Sequence, residues 1–166
     1  MSKVIYFGQD NGVTSTYGIL SDEFPPIFEK TPVKLVQDYT KAKKHISRLD
    51  SKKYYDLLKS YLDAGYEVKM CLERPLVNPN MFKASESALR CFEAMWAIID
   101  ILSLPVQFIP STDWQKELLP HGTKGADELK KASFDIGNRL FPQFKDFKHP
   151  DRDGLLIAYW MKKNNL

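Results

Sequence analysis

Cysteine is scarce in this chain of 166 residues, and the two that it has, Cys71 and Cys91, both lie in apolar stretches. No group of cysteine and histidine residues has the spacing of a zinc site. The sequence therefore argues against a fold that depends on disulfides or on structural zinc. We expect two reduced, buried thiols in a cytoplasmic protein.

Long apolar segments, repeats and low-complexity linkers are also missing. No apolar run reaches the length of a membrane span, and the first residues do not combine a charged start, an apolar stretch and a cleavage site. We therefore predict neither a membrane protein nor a secreted one. The hydrophobic fraction of 43% and the charged fraction of 27% are those of an ordinary globular protein. We predict a single domain over residues 1–166, which is large enough to bury a core.

The net charge is small, at +3, but it is unevenly distributed. Residues 30–59 contain nine Lys and Arg residues and three acidic residues, which gives this segment a charge of +6 and leaves −3 on the remainder. Such a basic segment indicates a polyanionic partner. A lysine-rich helix face exposed to solvent has the same composition, so the segment supports such a partner only together with other observations.

The first twenty residues carry the strongest local pattern. Residues 4–7 form an apolar run typical of a buried strand, Asn11 and Gly12 form a tight turn, and residues 14–20 are typical of a returning strand. Asp10 stands directly after the first strand, where a rigid strand end would hold its carboxylate, and Gly12 lets a ligand or metal ion approach the backbone. Asp10 has an equally supported second interpretation as a residue that only caps the turn.

Strands and helices alternate along the rest of the chain. Pro32 either places a third strand, residues 27–36, at a sheet edge or divides it. Further strands are predicted over residues 67–72 and 106–109. Helices are predicted over residues 51–64, 85–102 and 126–140. A short helix is predicted to open with a capping box at Thr112, and a last helix to begin at residue 150 or 151. This order predicts an α/β domain with a mixed five-stranded sheet, an antiparallel meander followed by parallel strands, flanked by helices.

The helix predicted over residues 85–102 is apolar on two faces. One stripe is formed by Leu89, Phe92, Met95, Trp96, Ile99 and Leu102, and the other by Cys91, Ala94, Ile98 and Ile101. A helix of this kind is buried on both sides or packs against a partner. The pattern favours a homodimer.

Acidic residues stand at special positions in this order. Asp10 ends the first strand, Glu73 ends the strand after the first crossover helix, and Asp151 and Asp153 open the last helix. The carboxyl ends of neighbouring strands share one crevice in an open α/β sheet, and the first turn of a packed helix can project its acids into it. Converging carboxylates repel each other unless cations bind, and oxygen ligands suit Mg²⁺ or Mn²⁺. Two such ions can hold a phosphodiester and activate a water.

Each acid also has a structural interpretation. Asp151 and Asp153 would serve as a helix cap and a first-turn charge, and Glu73 would pair with Arg74. Against this, Glu73 directly ends an apolar strand, which is an unusual place for a purely structural acid. His149 is either a metal ligand or a surface histidine, and the sequence favours a position at the surface or behind the metal ligands.

Three motifs resemble those of the RuvC-type Holliday junction resolvases, members of the RNase H-like superfamily. The family's glycine-x-Asp-x-Gly-x-Thr opening is similar to Gly8-Gln9-Asp10-Asn11-Gly12-Val13-Thr14. The strand-ending Glu of its second motif is similar to Glu73 in Cys71-Leu72-Glu73-Arg74-Pro75. The start of its last helix is similar to Asp153-Gly154-Leu155-Leu156-Ile157-Ala158. The first motif is shared with actin-like ATPases, which need two such domains. The likeness covers essentially the whole chain, and Glu-Arg-Pro with Trp114-Gln115-Lys116 most resembles the phage-encoded branch.

The resemblance implies an RNase H-like fold, a homodimer and nicking of branched DNA with Mg²⁺ or Mn²⁺, two ions per active site, in the host cytoplasm if a phage encodes the protein. It assigns catalytic and metal-ligand roles to Asp10, Glu73 and Asp153. The family's fourth acid or histidine lies three residues before the last Asp, where this chain has Pro150. Asp151 or His149 must replace it, and we expect Asp151 to be catalytic and to bind metal.

Lysines near the scissile phosphate are a further feature of the family, because a positive charge there stabilises the transferring phosphoryl group. The resemblance assigns this role to Lys116 and Lys131, with Lys124 and Lys130 as alternatives, although lysines on an amphipathic helix are mostly solvated. The predicted DNA contacts are Phe82, Lys83, Lys116, Lys124 and Lys131. Phe82 lies where the family inserts residues at the junction centre, and it would either stack on unpaired bases or begin the core of the long helix.

These expectations together predict a dimeric, structure-selective DNA endonuclease that nicks four-way junctions and other branched DNA. Two alternatives stay open. One is an RNase H-like nuclease that acts on an RNA–DNA hybrid. The other is a non-catalytic protein that has kept the fold and binds branched DNA.

Overall fold

A mixed five-stranded sheet with helices on both faces forms the body of the protein, which the computed structural model describes over residues 3–40 and 44–166. The strands are β1 (Lys3–Gln9), β2 (Thr16–Ser21), β3 (Ile27–Lys30), β4 (Val33–Gln37), β5 (His45–Leu49), β6 (Tyr66–Glu73) and β7 (Val106–Ile109). The helices are α1 (Ser51–Asp63), α2 (Phe82–Ile101), α3 (Ser111–Leu118), α4 (Ala126–Leu140) and α5 (Asp153–Lys163). In the described residues, none of the helices combines the length and the apolar character that a bilayer crossing requires.

The strand order in this sheet is β3-β2-β1-β6-β7. β1 pairs antiparallel with β2, and β2 antiparallel with β3, while β1 and β6, and then β6 and β7, run parallel. The prediction of an antiparallel meander followed by parallel strands is therefore confirmed. Because β1 and β6 are parallel neighbours, their carboxyl ends lie side by side.

Alternate residues of the central strands enter two different cores. Ile5 and Phe7 of β1, with Met70 of β6, pack under α1 and α2. On the other face, Tyr6 and Cys71 contact the core built by α3, α4 and α5. Since side chains alternate along a strand, the even positions of β1 and the odd positions of β6 point towards α5.

Helix α5 lies directly on β1 and β2, and two glycines allow that contact. A Cβ atom on Gly8 would lie 2.2 Å from the Ala158 backbone nitrogen, and one on Gly18 would lie 2.5 Å from the Leu155 Cα. The helix is apolar and buried around Leu155 to Ala158, as expected for a helix surrounded by protein. This close packing brings the first residue of α5 next to the end of β1.

Pro32 divides the strand predicted over residues 27–36, which is one of the two alternatives that the sequence offered, and two strands occupy this region. β3 is an edge strand of the main sheet, whereas β4 pairs antiparallel with β5 in a separate two-stranded sheet. Thr31 and Pro32 separate the two strands, and Pro32 has no N–H to donate to a ladder. β5 was not predicted at all. Lys41 and Lys43 of the basic segment lie outside the described residues.

Several predicted boundaries also differ from the structure. The turn after β1 is wider than the predicted Asn-Gly turn, since residues 10–15 form the loop and Ser15 N donates to Gly12 O at 3.3 Å. Helix α2 begins at Phe82, three residues before the predicted start. Helix α3 begins at Ser111 without a side-chain cap, so the capping box at Thr112 is absent. Helix α5 begins only at Asp153, which leaves Asp151 in the preceding loop.

The two apolar faces predicted for α2 are only partly buried. Phe92, Met95 and Ile99 enter the core as predicted. Leu89 and Trp96 of the same predicted stripe keep 40% and 37% of their surface exposed. One long face of α2 is therefore not covered by the described residues of this chain.

Candidate active site

The parallel pairing of β1 with β6 brings two acidic residues together. Gln9 is paired with Leu72, so Asp10 and Glu73 follow at the same level at the carboxyl ends of the two strands. Asp10 continues the even positions of β1 and Glu73 the odd positions of β6, which are the positions that point towards α5. The strand ends therefore direct both carboxylates to the same side of the sheet.

The segment that leads into α5 supplies two more acids. Asp153 is the first residue of the helix, and Asp151, only 5% exposed, lies in the loop before it. One carboxylate oxygen from each of Asp10, Asp151 and Asp153 lies within 4.8 Å of the others. The backbone N–H of Asp153 donates to Asp151 Oδ1 at 3.3 Å, which fixes the two acids relative to each other. Three converging oxygen ligands suit a divalent cation such as Mg²⁺ or Mn²⁺.

Glu73 lies beside this group and is held by a tryptophan. Trp114 of α3 is fully buried, and its indole Nε1 donates to Glu73 Oε2 at 2.9 Å. Glu73 is also close enough to Asp10 and Asp153 to raise the pKa of both. All four predicted acids therefore belong to one electrostatic cluster.

Burial and mutual repulsion raise the pKa values of Asp10, Glu73 and Asp153. Burial raises the pKa of Asp10 well above its usual range, and Glu73, Asp153 and Asp151 raise it further. Burial raises the pKa of Glu73 to about 7, although the Trp114 hydrogen bond lowers it, and burial with Asp151 raises the pKa of Asp153 to about 8. Concentrating this much negative charge is unfavourable without a counter-charge. A bound cation would supply it, so the donor set fits a divalent metal ion.

Ser133 of α4 fixes Asp153 from the other side. Its hydroxyl donates to Asp153 Oδ1, which lowers the pKa of that carboxyl, and accepts from the Arg152 backbone N–H at 3.0 Å. Ser133 is itself buried. The serine therefore connects α4 to the start of α5 at the carboxylate cluster.

A buried polar network holds the loop that carries Asp10. Gln9 is fully buried, and its Nε2 donates to Thr31 Oγ1 at 2.8 Å and to the Asp10 carbonyl oxygen at 2.5 Å. Ser15 and Thr31 share a hydroxyl–hydroxyl bond of 2.7 Å. Thr16 Oγ1 accepts from the Gly154 backbone N–H at 3.3 Å, so the network also reaches α5.

His149 connects the loop after β1 to Asp151. Its Nε2 donates to the Thr14 carbonyl oxygen at 2.9 Å, and its Nδ1 lies 3.2 Å from Asp151 Oδ1. Both ring nitrogens therefore have partners within the protein, and the side chain is only 8% exposed, so the interpretation as a surface histidine is wrong. The oxygen group described above contains Asp151 and not His149.

Three lysines surround the cavity over the carboxylates. This cavity of about 580 Å³ is lined by the three aspartates together with Lys30, Lys130 and Lys148. Lys130 lowers the pKa of Asp153, so its charge acts on the cluster. The sequence predicts Lys130 only as an alternative for the lysine near the scissile phosphate, and it predicts no role for Lys30 or Lys148. No local pattern marks these two, because they approach the site only once β3 and the loop before α5 have packed.

Other predicted lysines lie elsewhere. Lys116 lines a separate cavity of about 300 Å³ with His121 and Thr123 and is not among the residues that line the carboxylate cavity. Its role near the scissile phosphate stays a prediction. Lys131 follows Lys130 on α4 and does not line the carboxylate cavity, and Lys124 is exposed before that helix. On a helix, one residue rotates a side chain by about 100°. The carboxylate cavity is therefore lined by Lys130 and not by Lys131.

The predicted DNA contacts on α2 lie at a cleft next to the carboxylate cavity. Phe82 is 72% exposed, so it does not begin the core of the helix. Phe82 and Lys83 line a cleft between α2 and the β4–β5 hairpin, and Val13 borders both this cleft and the carboxylate cavity. The loop before α2 adds exposed apolar side chains, with Leu76 at 86% and Met81 at 58% exposure.

The sheet order, the helices on both faces and the acids at the ends of β1 and β6 define an RNase H-like fold with a candidate metal site. No protein-family model and no curated protein matches the chain. Among solved structures, T. thermophilus RuvC in complex with a Holliday junction substrate matches with a TM-score of 0.57 and 14% identity, over 99% of this chain and 95% of that chain. A second Thermus thermophilus RuvC structure matches with a TM-score of 0.48 and 14% identity, over 97% and 96%.

At 14% identity, the likeness to the RuvC complex shows the fold alone. This chain therefore has the fold of RuvC, as the sequence motifs predicted. The comparison does not bear on the phage-encoded branch, on the site residues or on the oligomeric state.

Proposed function

We propose that this protein is a metal-dependent endonuclease that nicks four-way junctions and other branched DNA. The observation that supports this most strongly is the convergence of Asp10, Glu73, Asp151 and Asp153 at the carboxyl ends of β1 and β6. The fold supports the same proposal, since the RuvC protein with this fold was solved with a Holliday junction substrate.

In this proposal the four acids hold Mg²⁺ or Mn²⁺, with two ions per site. Such ions, when bound, supply an activated water and stabilise charge on the phosphate. Asp10, Asp151 and Asp153 form the group of converging oxygens, and Glu73, fixed by Trp114, completes the set. Asp151 replaces the acid that the resemblance expects at Pro150.

Lysine side chains hold the phosphate in the same cavity. Lys130, Lys30 and Lys148 line it, and a positive charge near the reacting phosphate stabilises the charge that develops there. The earlier assignment of Lys131 stays a prediction with less support than Lys130. Lys116 and Lys124 are proposed to contact the DNA backbone farther from the reacting phosphate.

Exposed groups around the cavity support binding of branched DNA. Lys34 of β4 stands directly opposite Arg48 of β5, a like-charge pair that destabilises a hairpin unless a polyanion neutralises it. Phe82 and Leu76 are exposed beside the site and can stack on, or insert between, unpaired bases. Lys83 contacts the backbone next to Phe82. In this proposal the protein recognises the shape of the branch through these groups.

The uncovered face of α2 supports a homodimer. Leu89 and Trp96 are exposed and lie seven residues apart, so they form one row along the helix. A two-fold axis at this row would place two active sites on one junction and allow symmetric nicks. A single domain over residues 1–166, a place in the phage-encoded branch and a cytoplasmic location are parts of the same proposal that depend on the sequence motifs.

The test is nicking of an immobile synthetic four-way junction with Mg²⁺ or Mn²⁺, beside a linear duplex and an RNA–DNA hybrid. We expect symmetric nicks in the junction alone. Asp10→Asn should abolish them, whereas Asp146→Asn, the same change at an exposed acid, should not. Cleavage of the hybrid alone would instead indicate an RNase H activity, and junction binding without any cleavage would indicate a non-catalytic DNA-binding protein.

A further inference from the structure

Arg152 is a fully buried arginine whose guanidinium uses all of its hydrogen-bond donors. Arginine has five N–H donors in a fixed planar fork. Nε donates to Asn138 Oδ1 at 2.9 Å. Nη1 and Nη2 donate, at 2.8 to 3.1 Å, to the backbone carbonyl oxygens of His149, Asp151, Phe144 and Phe147. None of these five acceptors is a carboxylate oxygen.

Aromatic rings and a glycine complete the environment of this side chain. The guanidinium carbon lies 4.4 Å from the centre of the Phe134 ring and 5.4 Å from that of Phe28. A Cβ atom on Gly137 would lie 2.4 Å from the Arg152 Cβ, so α4 leaves space for the arginine only because residue 137 is a glycine. A buried charge is expensive unless its hydrogen bonds are satisfied, so a change at any of these partners should disturb the arrangement.

The four carbonyl groups belong to the irregular segment between α4 and α5. After the short helical turn at Pro142–Phe144, this segment forms neither helix nor strand before Asp153. It nevertheless supplies Lys148, His149 and Asp151 to the carboxylate cavity. Asp151 precedes α5, so helical hydrogen bonds do not fix its position. The Arg152 guanidinium binds carbonyl oxygens along this whole segment, from Phe144 to Asp151, and so holds the segment together.

We propose that Arg152 is a positioning residue, which fixes the loop before α5 and thereby places the Asp151 carboxylate for binding a divalent cation. The inference rests on the proposed function only in taking Asp151 as a metal ligand. Groups that orient a metal ligand commonly change metal affinity by about 10- to 100-fold when they are removed. A lysine at this position would keep the charge, but it has three donors and no planar fork, so it cannot bind the same four carbonyls.

The experiment measures Mn²⁺ affinity of the full chain by calorimetry, together with thermal unfolding by circular dichroism. We expect Arg152→Lys to bind Mn²⁺ about 10-fold more weakly than the unchanged protein at a temperature where both are folded. Arg90→Lys is the matched control, because Arg90 is half-buried and bonded to Tyr39 and Glu86, away from the acids. Its Mn²⁺ affinity should not change.

Asp151→Asn separates positioning from general damage to the fold. If Arg152 acts through Asp151, adding Arg152→Lys to Asp151→Asn should change the Mn²⁺ affinity by less than about twofold, because neighbours that act together are not additive. Full additivity would overturn the proposal, as would an unchanged affinity in Arg152→Lys. Should Arg152→Lys fail to fold, Asn138→Ala removes one acceptor only, and it must then weaken Mn²⁺ binding for the proposal to stand.

The Mn²⁺ measurement is independent of DNA cleavage. Weaker binding in Arg152→Lys with no cleavage of any DNA by the unchanged protein would support the positioning role and overturn the nuclease. Cleavage by the unchanged protein, with equal Mn²⁺ binding by the unchanged protein and Arg152→Lys, would support the nuclease and overturn the positioning role. A failure of the unchanged protein to bind Mn²⁺ would overturn both.

Discussion

Trp114 is a side chain that makes it easier for Glu73 to lose its proton, against the effect of burial. Its indole Nε1 is hydrogen-bonded to the Glu73 carboxylate, and this bond lowers a pKa that burial raises to about 7. We expect Trp114→Phe to raise that pKa by about one further unit, because a hydrogen bond to a charged group contributes about 1.5 kcal/mol. At a Mn²⁺ concentration too low to saturate the site, where the metal ion competes with the proton on Glu73, the rate of junction nicking against pH should therefore begin to rise at a pH up to about one unit higher.

Trp160 offers a matched control for this change. Its indole also donates to a carboxylate, that of Glu117, at 2.6 Å, but on the protein surface. Trp160→Phe should leave the pH profile of nicking unchanged. An identical profile for Trp114→Phe and the unchanged protein would mean that Glu73 does not titrate during the reaction.

Single residues differ in how far the sequence alone could place them. Asp10, Glu73 and Asp153 could be found because each stands at the end of a strand or the start of a helix, and the register of two parallel strands brings such positions together. Lys30 and Lys148 could not, because their neighbours in space are far away in the chain. Lys130 and Lys131 are both in the sequence pattern, and only the phase of α4 distinguishes them.

The hairpin of β4 and β5 carries a pair of like charges on its surface. Its ladder sets Lys34 opposite Arg48, and both side chains are exposed. Lys34→Glu would replace this like-charge pair with an opposite-charge pair, so the hairpin should gain about 0.2–1 kcal/mol of stability. Junction binding should nevertheless weaken, and the slope of log affinity against log salt should fall by about one for the lost phosphate contact.

A measurement of junction affinity at several salt concentrations checks this prediction. Lys59→Glu makes the same change of charge on α1, where Lys59 already pairs with Asp63 at 2.6 Å. Its binding and salt slope should match those of the unchanged protein. Equal binding by Lys34→Glu would remove the hairpin from the DNA-binding surface.

The β4–β5 hairpin was also the element that the sequence pattern predicted least well. β5 is a strand of five residues, His-Ile-Ser-Arg-Leu, of which only Leu49 is fully buried, so it lacks the clear alternation of a strand with one face in a core. The strands of the main sheet were easier to predict because they contain apolar runs, such as residues 4–7, which are typical of buried strands. Helix ends were misplaced by one to three residues where caps were absent, as at α3 and α5.

For the whole molecule, the carboxylate cluster couples stability to pH and to metal ions. Glu73 and Asp153 have their pKa values raised, to about 7 and about 8, from ordinary values of 4.5 and 3.8. The folded state therefore keeps protons that the unfolded state has released. Their stabilising contribution is complete below about pH 4 and is lost as the pH rises towards 8, at about 1.4 kcal/mol for each unit of pKa shift.

Thermal unfolding without divalent cations should consequently show a midpoint that falls as the pH rises from 5 to 8.5. Asp153→Asn should flatten this dependence, because it removes the group with the pKa of about 8. Mn²⁺ added at pH 8 should restore the midpoint by binding the folded state only. A midpoint that rises over this pH range in the metal-free protein would contradict the assignment of the cluster.

The proposed dimer is a second property of the whole molecule. Leu89 lies in the exposed row of α2, and a charge there would be buried in the interface. Leu89→Glu should convert the protein from dimer to monomer in sedimentation equilibrium. Leu140→Glu, at a leucine of α4 with a similar exposure of 38%, should leave the dimer intact. A monomer in the unchanged protein would exclude the dimer altogether.

The hydrogen bond between His149 and Thr14 joins residues that are 135 positions apart in the chain. Asp10 and Glu73 are synthesised before Asp151 and Asp153, because they precede them in the chain. A nascent chain that ends before α5 therefore lacks two of the four clustered carboxylates. The candidate metal site is complete only when α5 has docked on β1 and β2.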